Sequence, residues 1–202
     1  MADPVRPNQT GRHLYKEIFR LAKPYLRTRQ NDIHTLISYG CALKLLRLVR
    51  ADENIVLPAV LLHDLGWSRV PEELQITAFG PGSANKDLNR VHEVEGAKMA
   101  AEILRQLDFP EGAVREITAI IEGHDSRPRA LSANDMLVKD SDKLWRYSFK
   151  GFECGVRRFG FGVYRSHLAG HLDDWFFTSE ARRLAGDLLR RLPEDPIVLD
   201  LR

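Results

Sequence analysis

Residues 57–67 read LPAVLLHDLGW, and this stretch frames the rest of the chain. The apolar run Val60-Leu61-Leu62 leads straight into His63 and Asp64, and Gly66 offers a stop just beyond them. A core helix gains nothing structurally by ending in an imidazole beside a carboxylate, because burying either without a partner is costly. Both are good ligands for a divalent ion. The stretch predicts a buried helix that ends in two ligands of a metal centre, with the remaining ligands on other helices.

The whole chain is consistent with an ordinary soluble globular protein. Its 202 residues, 44% hydrophobic and 29% charged, are enough for one substantial core and predict one domain. That domain is expected over about 13–192, between a loose tail at 1–12 and a Pro-containing tail at 193–202. The net charge of +2 and pI near 8.6 fall far short of a basic nucleic-acid tail, and no dedicated nucleic-acid patch is evident. Cys41 and Cys154 are isolated and predict reduced thiols, Cys41 as a small core residue. No signal core and no run of about 18 apolar residues occurs, so the expectation is a cytoplasmic protein without a membrane partner.

Helical periodicity recurs along the chain. It predicts helices over about 14–26 (limited by Pro24), 33–49, 52–64, 89–107, 110–124, from Ser132 past Trp145, and over 163–176 and 179–191. Asn31 or Asp32 is the expected cap of the second helix, with Ile33, Ile37, Cys41, Leu45 and Leu48 buried and His34 one residue off that stripe. Ser132 and Asp135 suggest an acidic capping box. Four glycines among aromatics at 151–162 suggest a loop or helix break. Residues 67–88 form a polar connection long enough to suggest a lid. Alternating strands are not apparent. An all-α, single-domain bundle is predicted, with its metal centre at converging helix ends.

Of seven histidines, His34, His63, His92 and His124 each fall at the start or end of a separate predicted helix. Asp142 falls on a fifth, within LVKDSDKLW. A site drawn from several rigid elements needs ligands of this kind. His167 and His171 form a rival pair at i,i+4 spacing. They lack an HExxH-like glutamate, and two partly exposed surface histidines is the simpler reading. His13 has no evident role.

The series His34, His63-Asp64, His92, His124, Asp142 resembles the HD superfamily of metal-dependent phosphohydrolases. The surrounding HDLGW, HEVEGAKMAAEIL (92–104), IIEGHD (120–125) and DSDKLW (140–145) are similar to it as well, so the resemblance covers about 30–180. It implies a helical bundle in which His34, His63, Asp64 and Asp142 hold one divalent ion. His92 and His124 match the extra histidines of two-metal members, with Asp64 bridging. Mixed imidazole and carboxylate ligands do not select among Mn, Fe, Co, Ni, Zn or Mg. The implied activity is hydrolysis of a nucleotide or other small phosphate ester by metal-activated water. Lys143 and Arg146 are candidate phosphate contacts, as are Lys98, Arg69 and Arg127; a salt bridge to Asp140 is the plainer role for the first two.

The same ligand set also resembles HD-fold mixed-valent di-iron oxygenases acting on polyols or phosphonates. A non-catalytic metal- or nucleotide-binding module is a third reading. The chain lacks the GYP-type extension of cyclic-dinucleotide phosphodiesterases. Trp67 stands where some one-metal nucleotidases carry a glutamate, which disfavours a glutamate-assisted mechanism.

Overall fold

A computed structural model describes residues 9–75, 77, 78, 81, 82, 85 and 87–195. Among these, ten α-helices are joined by short turns and four 3-10 segments, with no strand. The helices are α1 Gln9–Ala22, α2 Asn31–Leu45, α3 Glu53–Leu62, α4 Glu72–Gln75, α5 Asp87–Gln106, α6 Glu111–Ile121, α7 Ala133–Leu144, α8 Phe149–Phe159, α9 Phe161–Gly170 and α10 Ser179–Arg191. The all-α expectation holds. Much of the expected tails, residues 1–8 and 196–202, lies outside the described residues.

Helix α3 is the axis of the bundle. Every residue from Ile55 to Leu62 is buried, as expected of a helix that is apolar all round. It packs against α1, α2, α6 and α7. Each of its fully buried aliphatic side chains contributes about 1.5–3 kcal/mol, so its position is strongly determined. Asp52 caps it, its carboxylate accepting from the Asn54 N–H at 2.9 Å. Its last turn runs into His63, Asp64 and the 3-10 segment Leu65–Arg69.

That 3-10 segment crosses α5 at a glycine pair. A Cβ on Gly66 would lie 1.9 Å from the His92 carbonyl oxygen, and one on Gly96 would lie 3.2 Å from the Gly66 nitrogen. Backbone meets backbone here, and the contact sets the distance between Asp64 and His92.

Five local expectations are corrected. Helix α2 starts at Asn31 without a side-chain cap, after Arg29 and Gln30, both with positive φ. Its buried face is Asn31, His34, Thr35, Ser38, Cys41, Ala42 and Leu45, which includes His34 and excludes Leu48, 54% exposed. In α7, Ser132 caps as expected, but Asp135 reaches back to the Leu131 N–H at 2.8 Å, one residue before the box position. The glycine-rich stretch from 151 is helix α8, and the break falls at Gly160, whose φ is 85°. Gly151 and Gly155 are contact points: added Cβ atoms would sit 2.0 Å from the Trp145 carbonyl oxygen and from the Tyr164 ring. The helix expected over 163–176 is α9, ending at Gly170.

The described residues of the connection after Trp67 include α4 and a small satellite core of Trp67, Val70 and Ala78. Gln75, fully buried, donates to the Trp67 and Val70 carbonyls at 3.0 and 2.8 Å.

Gly66→Ala is expected to destabilise the protein by about 1–3 kcal/mol, the cost of overpacking. Thermal denaturation should show a fall of roughly 2–12 °C. Gly40→Ala, within α2 and with nothing within 4 Å of an added Cβ, should stabilise by about 0.5–1 kcal/mol in the same assay.

Candidate metal centre

Four helix ends and one helix body deliver the six ligand candidates to one buried cluster. His34 lies in the first turn of α2, and His63 and Asp64 follow α3. His92 lies early in α5, His124 just past α6 and Asp142 near the end of α7. All six are buried.

The donor atoms form two groups that share Asp64. In the first, the Nε2 atoms of His34 and His63 are 2.9 Å apart. Asp64 Oδ2 and Asp142 Oδ1 each lie 3.4 Å from His34 Nε2. In the second, His92 Nε2 and His124 Nε2 are 3.3 Å apart, and Asp64 Oδ1 lies 3.9 and 3.8 Å from them. Ligands about 2.0–2.2 Å from one ion stand roughly 3–3.5 Å from each other, so the spacings suit metal coordination after small adjustments.

The donor chemistry fits a cation. His63 Nδ1 and His124 Nδ1 each bond a backbone carbonyl at 2.8 Å, of Val60 and Ile121. An Nδ1–H donating there leaves the Nε2 lone pair aimed into the cluster, as in metal-binding histidines. Burial lowers His34 to about 3 and His92 to about 4, keeping both in the neutral, ligating form. Burial also opposes charge on His124, yet Asp64, Asp125 and Asp142 lift it to about 9. Burial likewise opposes the Asp64 carboxylate, which the imidazoles around it hold well below the usual range. The cluster calls for positive charge, which a divalent ion would supply.

The supporting side chains explain why the cluster sits here. The Trp67 ring stacks on His92, centroids 4.1 Å apart, and its Nε1–H donates to Asp64 Oδ1 at 3.1 Å. Buried Glu93 accepts from the Asp125 and Ser126 N–H groups at 2.8 and 2.7 Å. Lys139, 2% exposed, donates to the carbonyls of Gly123, His124 and Arg127. These contacts hold the turn that carries His124. Asp140 does not pair with Lys143 or Arg146; its carboxylate binds the Phe177 and Thr178 N–H groups at the start of α10.

A cavity of about 390 Å³ opens onto the cluster. Lys143 lines it and bonds Asp125 Oδ1 and Asp142 Oδ2, both at 2.8 Å. Arg146 also lines it, its Nη1–H donating to the Asp142 carbonyl at 2.9 Å. Lys98, Arg69 and Arg127 do not line it; Lys98 pairs with Glu95 and Arg127 with Asp135. The sequence reading missed Arg29, which lies on the cavity wall with its guanidinium 4.4 Å from the Trp67 ring centre. Asp125 also lines the cavity, its Oδ2 3.6 Å from His92 Nε2. His167 and His171 are partly exposed, as expected, and both line this cavity.

The HD domain family matches residues 31–146, more than half of the chain. The chain belongs to the HD domain family. A crystal structure described as a predicted HD superfamily hydrolase, from an uncultured Thermotogales bacterium, has the same fold. It aligns at a TM-score of 0.59 and 19% identity, over 92% of this chain and 87% of that one. No curated protein matches the chain in sequence.

Lys139→Met should cost about 2–4 kcal/mol, since three carbonyls lose a charged donor. Urea denaturation at neutral pH checks this, and an unchanged midpoint would remove Lys139 from the support of the His124 turn.

Proposed function

We propose that this HD domain protein is a metal-dependent phosphohydrolase of small phosphate esters, nucleotides among them, with two divalent ions at the shared-aspartate cluster. His34, His63, Asp64 and Asp142 would hold one ion, and Asp64, His92 and His124 the other. Ions there supply positive charge beside phosphate oxygens and lower the pKa of coordinated water.

The observation that carries this reading is the placement of Lys143. Its ammonium has three donors, and two already bond the carboxylates of Asp125 and Asp142. One remains for an oxyanion on the cavity side. Burial works against its charge, but those two aspartates raise its pKa, so it stays cationic across neutral pH. Arg146 is held above its ordinary value by Asp142 against the same effect of burial, and offers a planar fork suited to phosphate. Burial lowers Arg29 only to about 10, leaving a third cation on the wall. Trp67 keeps Asp64 oriented between the imidazole pairs.

The cavity volume stands at the small end of the roughly 300–1,000 Å³ typical of ligand sites, which favours a substrate of mononucleotide size. The cytoplasmic location expected from the sequence is compatible, and no described helix is long and apolar enough to cross a membrane.

Purified protein supplied with Mn²⁺ should release inorganic phosphate from members of a panel of nucleoside and sugar phosphates, and elemental analysis should find two ions per chain. His63→Ala should lower kcat/KM at least 100-fold, and His92→Ala should reduce the metal content toward one. Full metal content in His92→Ala would refute the two-ion assignment. Absence of phosphate release, with oxygen consumed by the iron-loaded protein on a polyol or phosphonate, would replace the hydrolase with an oxygenase.

A further inference from the structure

The cavity has two chemically different halves. One carries the ligand cluster and its cations. The other is built by α8, α9 and the turn that follows, residues 149–175, which lie beyond the 31–146 segment matched by the family. Arg158, Phe159, Tyr164, His167, His171 and Trp175 from this region line the cavity, so this half also carries one cation, and Trp145 stands at the junction between the halves.

Among the described residues, Ala78 is the only aliphatic side chain on the cavity wall. An alkyl or acyl group would meet no leucine, isoleucine, valine or methionine there. Beside Cys154 and Arg158, the wall of this half presents aromatic rings and imidazoles, which favour a flat π-system through stacked or edge contacts. The two halves are joined directly: Arg146, bonded to Asp142, lies 5.8 Å from the Trp175 ring centre. Trp175 in turn packs on His171 and His167, with centroids 4.5 and 5.1 Å away.

The histidines add polar selectivity. His171 Nδ1 bonds the His167 carbonyl at 2.8 Å, which assigns the proton to Nδ1 and leaves Nε2 as an acceptor. Burial first, then His171 and Arg146, lower the pKa of His167, which favours its neutral form at pH 7. A ring bearing an amino or hydroxyl donor matches such acceptors.

This wall depends on two glycines. Gly151 lets α8 approach the Trp145 backbone, and Gly155 admits the Tyr164 ring. Both close approaches shape the cavity, since both glycines line it.

We infer that the 149–175 segment is the specificity wall of the site, and that it selects phosphate esters whose organic part carries a planar aromatic ring. This rests on the phosphohydrolase reading. Trp175 and Phe159 are specificity-determining residues, contacting the ring while the phosphate lies at Lys143 and Arg146.

The test compares adenosine 5′-monophosphate with ribose 5-phosphate, which differ by the base alone, using the Mn²⁺-loaded full chain. The wild type should favour the nucleotide in kcat/KM by tenfold or more, the scale of one base–aromatic stacking contact. Trp175→Ala and Phe159→Ala should each move that ratio toward one, chiefly through KM, with metal content retained as the check on folding. A wild-type ratio near one, or a ratio untouched by both variants, overturns the inference. If neither compound is hydrolysed, the phosphohydrolase reading is what fails. Calorimetric binding of the same pair then decides the wall separately, with equal affinities counting against it.

Discussion

The buried carboxylate of Asp64 stands between two imidazole pairs, with His34 and His63 on one side and His92 and His124 on the other. A charge removed from water in this way needs compensation from every direction. Four elements meet at Asp64 to give it: the starts of α2 and α5 and the ends of α3 and α6. The apolar packing of α3 brings the aspartate to this depth, and the imidazoles make the depth tolerable. A centre that attracts cations follows from the same arrangement.

The geometry is held by polar contacts behind the ligands. Lys139 and Glu93 are buried ions used on backbone groups, three carbonyls for one and two N–H groups for the other. Both act on the short turn that carries His124 and Asp125. The glycine crossing at Gly66 and Gly96 sets the other critical distance, between the end of α3 and the start of α5. Ligands on five rigid elements are thereby positioned without a long loop, which suits a site that must keep its donors within a few tenths of an ångström.

Much of this was legible in the sequence because its signals were local. The apolar run ending in His63-Asp64, the cap at Ser132 and the periodic face of α6 required no knowledge of tertiary contacts. The errors have physical causes. In α2 the hydrophobic stripe was misplaced because its buried face turns polar toward the site, where Asn31, His34, Thr35 and Ser38 replace aliphatic residues. In α8 the glycines suggested a break, whereas they serve close packing against Trp145 and Tyr164. Arg29 carried no motif: its place depends on a positive-φ turn, a stacking contact with Trp67 and a bond to Gln75, 46 residues away. His167 and His171 read as partly exposed surface histidines rather than a metal pair, and their role as cavity wall is visible only once α9 is folded over the site.

The central claim is that Asp64 is shared by two metal ions. Anomalous diffraction from crystals of the Mn²⁺-loaded protein tests it most directly. The account predicts two peaks, one among His34, His63 and Asp142 and one between His92 and His124, with an oxygen of Asp64 coordinating each. A single peak, or two peaks without Asp64 between them, would contradict it.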